Sequence, residues 1–289
     1  MKHGRTWIAL ALALAVSAPA WADPAFDREF RSSDGLTLHY LEAGAGERTI
    51  VFIPGWLMPA EVFRHQVEAL APRYRVLAFD PRSQGQSQVS GGAHTPALRT
   101  RDIDELLAAA QVGDFVLAGW SLGVLESLDY IEKYKPARLR GLMLIDNSIG
   151  AGKPPTSRSP HFFEKLMDPV GRTDFLKEFC TGLFRNPPPA GLLETVQASA
   201  LRVPPGAARQ TISQPYPRSY WHDIVWRQQV PILYAITPRY RDQGEELAAA
   251  RPQLANVMVF ENAGHALFVD EPERFDAAAA ALMQKAFGD

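Results

Sequence analysis

The stretch that decides the fold is residues 114–134, "DFVLAGWSLGVLESLDYIEKY". An apolar run ends at Trp120, and apolar residues with helical spacing begin at Leu122, so the pattern predicts a strand that turns directly into a helix. Ser121 lies at the corner, between Gly119 and Gly123. Such a corner strains the backbone of the serine and pushes its side chain above the sheet, while the two small residues let strand and helix pass closely. The stretch therefore predicts an exposed serine nucleophile.

Further strands and helices alternate on both sides of this corner. Continuous apolar runs are typical of strands buried on both faces, and they are "RTIVFIPGW", "RVLAFD", "LRGLMLIDNS", "VPILYAIT" and "LANVMVF". Helical spacing separates several of them, and "FRSSDGLTLHYLEAG" reads as an edge hairpin around a turn at Asp34-Gly35. The order predicts an α/β fold with a doubly wound, mostly parallel sheet, whose ligand lies beyond the carboxyl ends of the strands.

The N-terminal residues 1–22 have the three parts of a secretory signal. Lys2 and Arg5 precede the apolar run "WIALALALAV", and Ala20-Trp21-Ala22 is a small-x-small cleavage site. We therefore expect an exported protein, periplasmic or secreted, with no stable membrane insertion once the signal is removed.

Residues 149–222 interrupt the alternation of strands and helices. They combine proline-rich pieces such as "GKPPTSRSP" and "RNPPPAG" with short helical pieces and many aromatic residues, which a disordered linker would lack. We expect this segment to be a helical lid inserted into one α/β core formed by residues 23–148 and 223–289.

Charge and composition exclude several classes of function. Residues 1–22 carry two cations and no acid, so removing them changes the formal net charge from −2 to −4, which argues against a nucleic-acid partner. The single cysteine, Cys180, cannot form an internal disulfide and lies in an apolar context, "FLKEFC". Metal-ligand clusters, phosphate-binding loops and dinucleotide fingerprints do not occur in the sequence, so no cofactor is implied.

A serine nucleophile needs a base, and His265 is the best placed of the seven histidines. It follows the last strand in "VFENAGHALFVDEPERF", before the terminal helix, so its imidazole can lean over the sheet edge toward Ser121. Asp270 and Glu273 have the spacing of a capping box for that helix.

These features resemble the α/β-hydrolase fold family. The resemblance is carried by the corner at Ser121, by the late Gly264-His265 and by "FDPRSQGQS", which is similar to that family's Asp-x-Arg-Gly-x-Gly-x-Ser loop. It covers roughly residues 30–148 and 228–289 and implies a serine hydrolase with no cofactor. We expect Asp80 and Arg82 to brace the loop through neighbouring backbone.

The resemblance also implies an oxyanion hole and an acid. Pro54-Gly55-Trp56 replaces the family's usual His-Gly, so the N–H groups of Trp56 and Leu122 are expected to face the site. The usual acid position holds Tyr240, which leaves two candidates. Asp146 ends a strand and is our choice, whereas Asp242 lies two residues beyond the usual place and could instead form a capping box with Glu245.

The expected function is hydrolysis of carboxylic esters with small to medium apolar acyl or alcohol groups, through an acyl-enzyme on Ser121. The expected partner is a small-molecule ester, and the sequence gives no oligomeric state. A cofactor-free perhydrolase or a C–C bond hydrolase would use the same three residues. A ligand-binding sensor with little turnover is the alternative outside enzymes.

Overall fold

The computed structural model describes residues 26–153 and 161–288. The predicted signal, residues 1–22, lies outside the described residues. The strands are β1 Phe26–Arg31, β2 Thr37–Ala43, β3 Thr49–Ile53, β4 Arg75–Asp80, β5 Phe115–Trp120, β6 Leu139–Ile145, β7 Ile232–Ile236 and β8 Ala255–Val259. The α-helices are α1 Arg64–Leu70, α2 Pro96–Ala109, α3 Leu122–Tyr134, α4 Phe162–Met167, α5 Arg172–Thr181, α6 Leu192–Arg202, α7 Pro205–Ile212, α8 Arg218–Arg227, α9 Arg241–Ala250, α10 Leu267–Asp270 and α11 Pro272–Phe287. Two short 3₁₀ helices span Ala60–Phe63 and Pro238–Tyr240.

The strands form one sheet in the order β1-β2-β4-β3-β5-β6-β7-β8. The hairpin of β1 and β2 is antiparallel, β2 pairs antiparallel with β4, and the pairs from β4 onward are parallel. The prediction of an α/β fold with a mostly parallel, doubly wound sheet is confirmed. Chain order reverses at β3, which lies between β4 and β5, and a ligand in such a sheet binds beyond the strand ends at that reversal.

Apolar residues cover both faces of the sheet, as the continuous runs predict. Along β3, Ile50 and Phe52 belong to one buried cluster, while Val51 and Ile53 belong to another cluster on the opposite face. Successive side chains of a strand point to opposite faces, so a strand that is buried on both sides cannot alternate apolar with polar residues. None of the helices in the described part of the chain is long and apolar enough to cross a membrane.

The connection between β6 and β7 contains helices α4 to α8 and no strand within its described residues. The sequence-based boundary between residues 222 and 223 falls inside α8. Trp221, Ile224 and Val225 of α8 pack in the same buried cluster as Leu128 of α3. We refer to the other helices of this connection, α4 to α7, as the inserted helices.

Neither of the two predicted capping boxes is formed. Helix α11 begins at Pro272, so Asp270 and Glu273 form no capping box and no side chain caps this helix. Asp242 lies inside the first turn of α9, where no side chain caps the helix either. In both places the aspartate hydrogen-bonds to a distant segment of the chain instead.

Candidate active site

Ser121 lies between the last residue of β5 and the first residue of α3, with φ 54° and ψ −121°. This is the strained corner that the sequence predicts, since positive φ is uncommon for residues other than glycine. A Cβ atom on Gly119 would lie 2.3 Å from the Gly123 carbonyl oxygen, and one on Gly123 would lie 2.1 Å from the Ile53 carbonyl oxygen. Both distances are impossible contacts, so these positions need glycine for β3, β5 and α3 to converge.

His265 lies beside Ser121, in the turn between β8 and α10. Its Nε2 atom is 2.8 Å from Ser121 Oγ, and its Nδ1 atom is 2.7 Å from Asp146 Oδ2. Trp120 Nε1 donates to the His265 carbonyl at 2.9 Å. Asp270 accepts from the Gly264 N–H at 2.8 Å, so the backbone on both sides of the imidazole is held.

Asp146 follows β6 directly, is 2% exposed and has φ 43°. While Oδ2 faces His265, Oδ1 accepts from the N–H and the hydroxyl of Thr237, at 2.7 and 2.8 Å. The carboxylate therefore has fixed partners on both oxygens. The alternative acid, Asp242, accepts from the Lys153 N–H at 2.9 Å. The structure thus brings Ser121, His265 and Asp146 together and leaves Asp242 outside this group.

The N–H groups of Trp56 and Leu122 belong to residues that line the cleft beside Ser121. The first N–H groups of a helix have no acceptor within the helix, and Leu122 is the first residue of α3. Within the described residues neither N–H donates to a carbonyl of a loop or turn. Both N–H groups are therefore available as hydrogen-bond donors.

The cleft above Ser121 has a volume of about 840 Å³. Its walls are mostly apolar and come from both the core and the inserted helices, and the apolar residues are Trp56, Leu122, Leu125, Phe162, Phe179, Leu183, Ile212 and Ala263. Asn147, Gln214, Arg239 and Tyr240 add polar groups. The guanidinium of Arg239 is solvent-exposed and has no carboxylate partner among the residues described.

The "FDPRSQGQS" loop is braced as expected at Asp80 but not at Arg82. The Asp80 carboxylate accepts from the N–H groups of Ala60 and Gln86, which are backbone contacts. Arg82 instead forms two hydrogen bonds of 2.6 Å with the carboxylate of Asp102. Both residues of this pair are buried, and Asp102 lies in the middle of α2.

The described residues hold neither an activated cysteine nor a cluster of metal ligands. Burial raises the pKa of the Cys180 thiol to about 12, so Cys180 is a neutral thiol at physiological pH, and a neutral thiol is a weak nucleophile. Histidine, cysteine and acidic side chains within 26–153 and 161–288 form no group of three or more that could hold a metal ion.

Sequence reasoning missed three residues that support the site. Thr237 binds Asp146, Asp270 binds the turn before His265, and Asn147 Nδ2 donates to the Ser121 carbonyl at 2.6 Å. The contacts of Thr237 and Asn147 join segments that are distant in the chain, whereas Asp270, at the end of α10, binds the turn that precedes this helix. The local patterns of the sequence contain no signal for these contacts.

Comparison with known proteins assigns the chain to a family. Residues 50–278 match the sequence profile of the alpha/beta hydrolase family. The chain is 28% identical to a pimeloyl-[acyl-carrier protein] methyl ester esterase of Edwardsiella ictaluri, over 83% of this chain and 95% of that protein. It is also 31% identical to the mouse serine hydrolase BPHL, over 38% of this chain and 40% of that one.

Solved structures share the whole fold. The esterase RhEst1 from Rhodococcus sp. ECU1013 superposes with a TM-score of 0.76 at 20% identity, covering 90% of this chain and 99% of that one. A bromoperoxidase from Bacillus anthracis superposes with a TM-score of 0.74 at 20% identity, covering 90% and 100%. At such identities the likeness concerns the fold alone. With the family profile spanning most of its length, this chain belongs to the alpha/beta hydrolase family and is a hydrolase.

Proposed function

We propose that this protein is a serine esterase that cleaves carboxylic esters of small to medium apolar acyl or alcohol groups. The observation that carries the proposal is the hydrogen-bonded chain from Ser121 Oγ through His265 to Asp146, at 2.8 and 2.7 Å. These distances suit proton transfer from the serine to the imidazole and stabilisation of the resulting imidazolium by the carboxylate. Ester hydrolysis is also the activity in the name of the relative from Edwardsiella ictaluri.

In the proposed mechanism His265 Nε2 takes the proton of Ser121 as Oγ attacks the ester carbonyl. The carbonyl oxygen becomes an oxyanion and accepts hydrogen bonds from the N–H groups of Trp56 and Leu122. His265 then gives the proton to the departing alcohol, which leaves an acyl group on Ser121. His265 next takes a proton from a water molecule as this water attacks the acyl group. The carboxylic acid is released, and Ser121 regains its proton from His265.

The walls of the cleft support the proposed substrate class. Ser121, His265 and Asp146 form the proposed catalytic group. Phe162, Phe179 and Ile212 are among the apolar side chains that line the same cleft. Burial of apolar surface contributes about 25 cal/mol per Å², so an apolar acyl or alcohol group gains affinity in such a cleft.

The lid assignment is part of the proposal and rests on where α4 to α7 make their contacts. Helix α6 reaches the turn beside the cleft through Ser199, whose hydroxyl donates to the Leu57 carbonyl at 2.8 Å. Helix α7 accepts a 2.8 Å hydrogen bond from the Trp56 indole at the Ala208 carbonyl. We propose that these helices cover the catalytic group and exclude bulk water during the reaction.

Export is a separate proposal that rests on the sequence of residues 1–22. It is tested by expressing the full chain in a bacterial host, separating periplasm from cytoplasm and measuring the intact mass. We expect a periplasmic protein that begins at Asp23, and a cytoplasmic protein that retains residues 1–22 would contradict export.

The proposed reaction is tested with p-nitrophenyl acetate, butyrate and octanoate and with a fluorophosphonate probe. We expect turnover of these esters, together with labelling that disappears in Ser121→Ala. Binding of esters without turnover would instead identify a sensor, and peracid formation from acetate and hydrogen peroxide without ester turnover would identify a perhydrolase. Labelling that persists in Ser121→Ala would contradict the assigned nucleophile.

A further inference from the structure

Trp56 donates its proposed oxyanion N–H from a tight turn formed by residues 55–58. The Met58 N–H donates to the Gly55 carbonyl at 3.2 Å, and the third residue, Leu57, has φ 65°. A turn of this kind favours glycine at the third position, because a side chain there strains the backbone. The Leu57 side chain is fully buried, so the strained turn has to be held by its surroundings.

The side chain of Gln84 holds both ends of this turn. Its Nε2 atom donates to the Met58 carbonyl at 2.8 Å and to the Gly55 carbonyl at 3.2 Å. Gln84 is 1% exposed, so water does not compete for these two carbonyls. A single amide group therefore spans the turn from its first residue to its last.

A buried ion pair fixes the orientation of the Gln84 amide. Arg99 of α2 donates from Nη2 to Gln84 Oε1 at 3.4 Å, and its Nε donates to the carboxylate of Glu126. Because Oε1 faces a guanidinium, which can only donate, the NH₂ group of Gln84 must face the turn. Arg99 and Glu126 are both more than nine-tenths buried, so this arrangement is shielded from solvent.

The same contacts link the two halves of the oxyanion hole. Glu126 lies in α3, the helix whose first residue is Leu122, and Gln84 binds the turn that contains Trp56. A continuous series of side chains thus connects the turn with the helix behind Ser121. The structure has no histidine where the family's usual His-Gly would precede this turn, and Gln84 supports the turn from another loop.

We propose that Gln84 is a positioning residue for ester hydrolysis, an inference that rests on the proposed function. It acts through the carbonyls of Gly55 and Met58 and keeps the Trp56 N–H aimed at the developing oxyanion. Loss of one oxyanion donor lowers kcat by about 10²–10³-fold. A donor that is displaced rather than deleted should cost less, so we expect about a 10–100-fold decrease when Gln84 is replaced.

The test compares Gln84→Met, which keeps the volume of the side chain, with a control at another buried glutamine. Gln66 donates to the Phe268 carbonyl at 3.0 Å and to Asp276 and does not line the cleft. Gln66→Met therefore removes the same kind of contact elsewhere. Thermal unfolding of each variant shows whether it is folded, and Gln84→Ala provides a second replacement if the first does not fold.

Two readouts separate positioning from a merely structural role. We expect kcat for p-nitrophenyl butyrate to fall about 10–100-fold in Gln84→Met with KM changed less than about threefold. The inhibition constant of butylboronic acid, which forms a tetrahedral adduct with the serine, should rise by a similar factor. Gln66→Met should leave both values within about threefold of the wild type.

The outcomes distinguish this inference from the proposed function. Wild-type turnover together with an unchanged kcat in the Gln84 variants would overturn the role of Gln84 alone. An equal loss in Gln66→Met would also overturn it, because the effect would then be one of general stability. Absence of both turnover and boronate inhibition in the wild type would overturn the proposed function and this inference with it.

Discussion

The replacement Asp146→Asn changes which nitrogen of His265 carries a proton. Oδ1 of Asp146 accepts from the Thr237 N–H at 2.7 Å, and a backbone N–H cannot become an acceptor. The new asparagine must keep its carbonyl oxygen toward Thr237 and turn its NH₂ group toward His265. Nδ1 then has to accept, so the proton lies on Nε2, the atom 2.8 Å from Ser121 Oγ. In that tautomer His265 cannot take the serine proton.

The expected loss is about 10⁴-fold in kcat, as for an incorrect tautomer in other serine triads. At about 1.36 kcal/mol per tenfold, this corresponds to about 5.4 kcal/mol of transition-state stabilisation. The assay is kcat for p-nitrophenyl butyrate, with thermal unfolding to show that the isosteric variant is folded. Asp242→Asn is the matched control and should stay within about twofold of the wild type. A kcat for Asp146→Asn within tenfold of wild type would refute this reasoning, and a collapse in Asp242→Asn would make Asp242 the acid.

Three further predictions concern packing, specificity and pH. Gly119→Ala should lower the free energy of unfolding, measured by urea denaturation, by about 1–3 kcal/mol, because the new Cβ would lie 2.3 Å from a backbone oxygen. Gly206→Ala is the control and should be tolerated, because a Cβ there has no atom within 4 Å. The second prediction compares kcat/KM for an ester with a terminal carboxylate with kcat/KM for a neutral ester of equal length. Arg239→Gln should lower the ratio of these two values by up to about fivefold, while Arg241→Gln should leave the ratio unchanged. Burial opposes protonation of His39, but hydrogen bonds to two aspartates outweigh it and raise its pKa above 6.5. Its contribution to stability is therefore full below pH 6.5 and is lost as the pH rises through the raised folded-state pKa, so His39→Gln should flatten the dependence of unfolding free energy on pH in that range.

The corner at Ser121 and the sheet could be predicted because their signals are local. Residues 114–134 contain a strand, a corner and a helix in direct succession, and the glycines at 119 and 123 mark that corner in the sequence. His265 could be predicted because it follows the last strand, where the chain returns to the same edge of the sheet. Each of these inferences needed only the order of the elements.

Contacts between distant segments could not be predicted in the same way. Asp146 and His265 are 119 positions apart, so the sequence favoured Asp146 by its place at a strand end but left Asp242 as a second candidate. Asp270 has the spacing of a cap, yet it accepts from the distant Arg185 N–H, and the helix begins only at Pro272. Local patterns identify which side chains are able to accept hydrogen bonds, whereas the packing of the strand ends decides which donors they meet.

The order of the sheet explains how an acid after β6 can serve this site. Strand β6 lies between β5, which leads to Ser121, and β7, which ends before Thr237. Neighbouring strands lie about 4.8 Å apart, so an acid after β6 is one strand closer to the serine than an acid after β7 would be. The end of β7 still contributes, because Thr237 donates two hydrogen bonds to the Asp146 carboxylate. The strand that usually supplies the acid in this family therefore supplies donors here, and these donors fix the oxygen that His265 does not use.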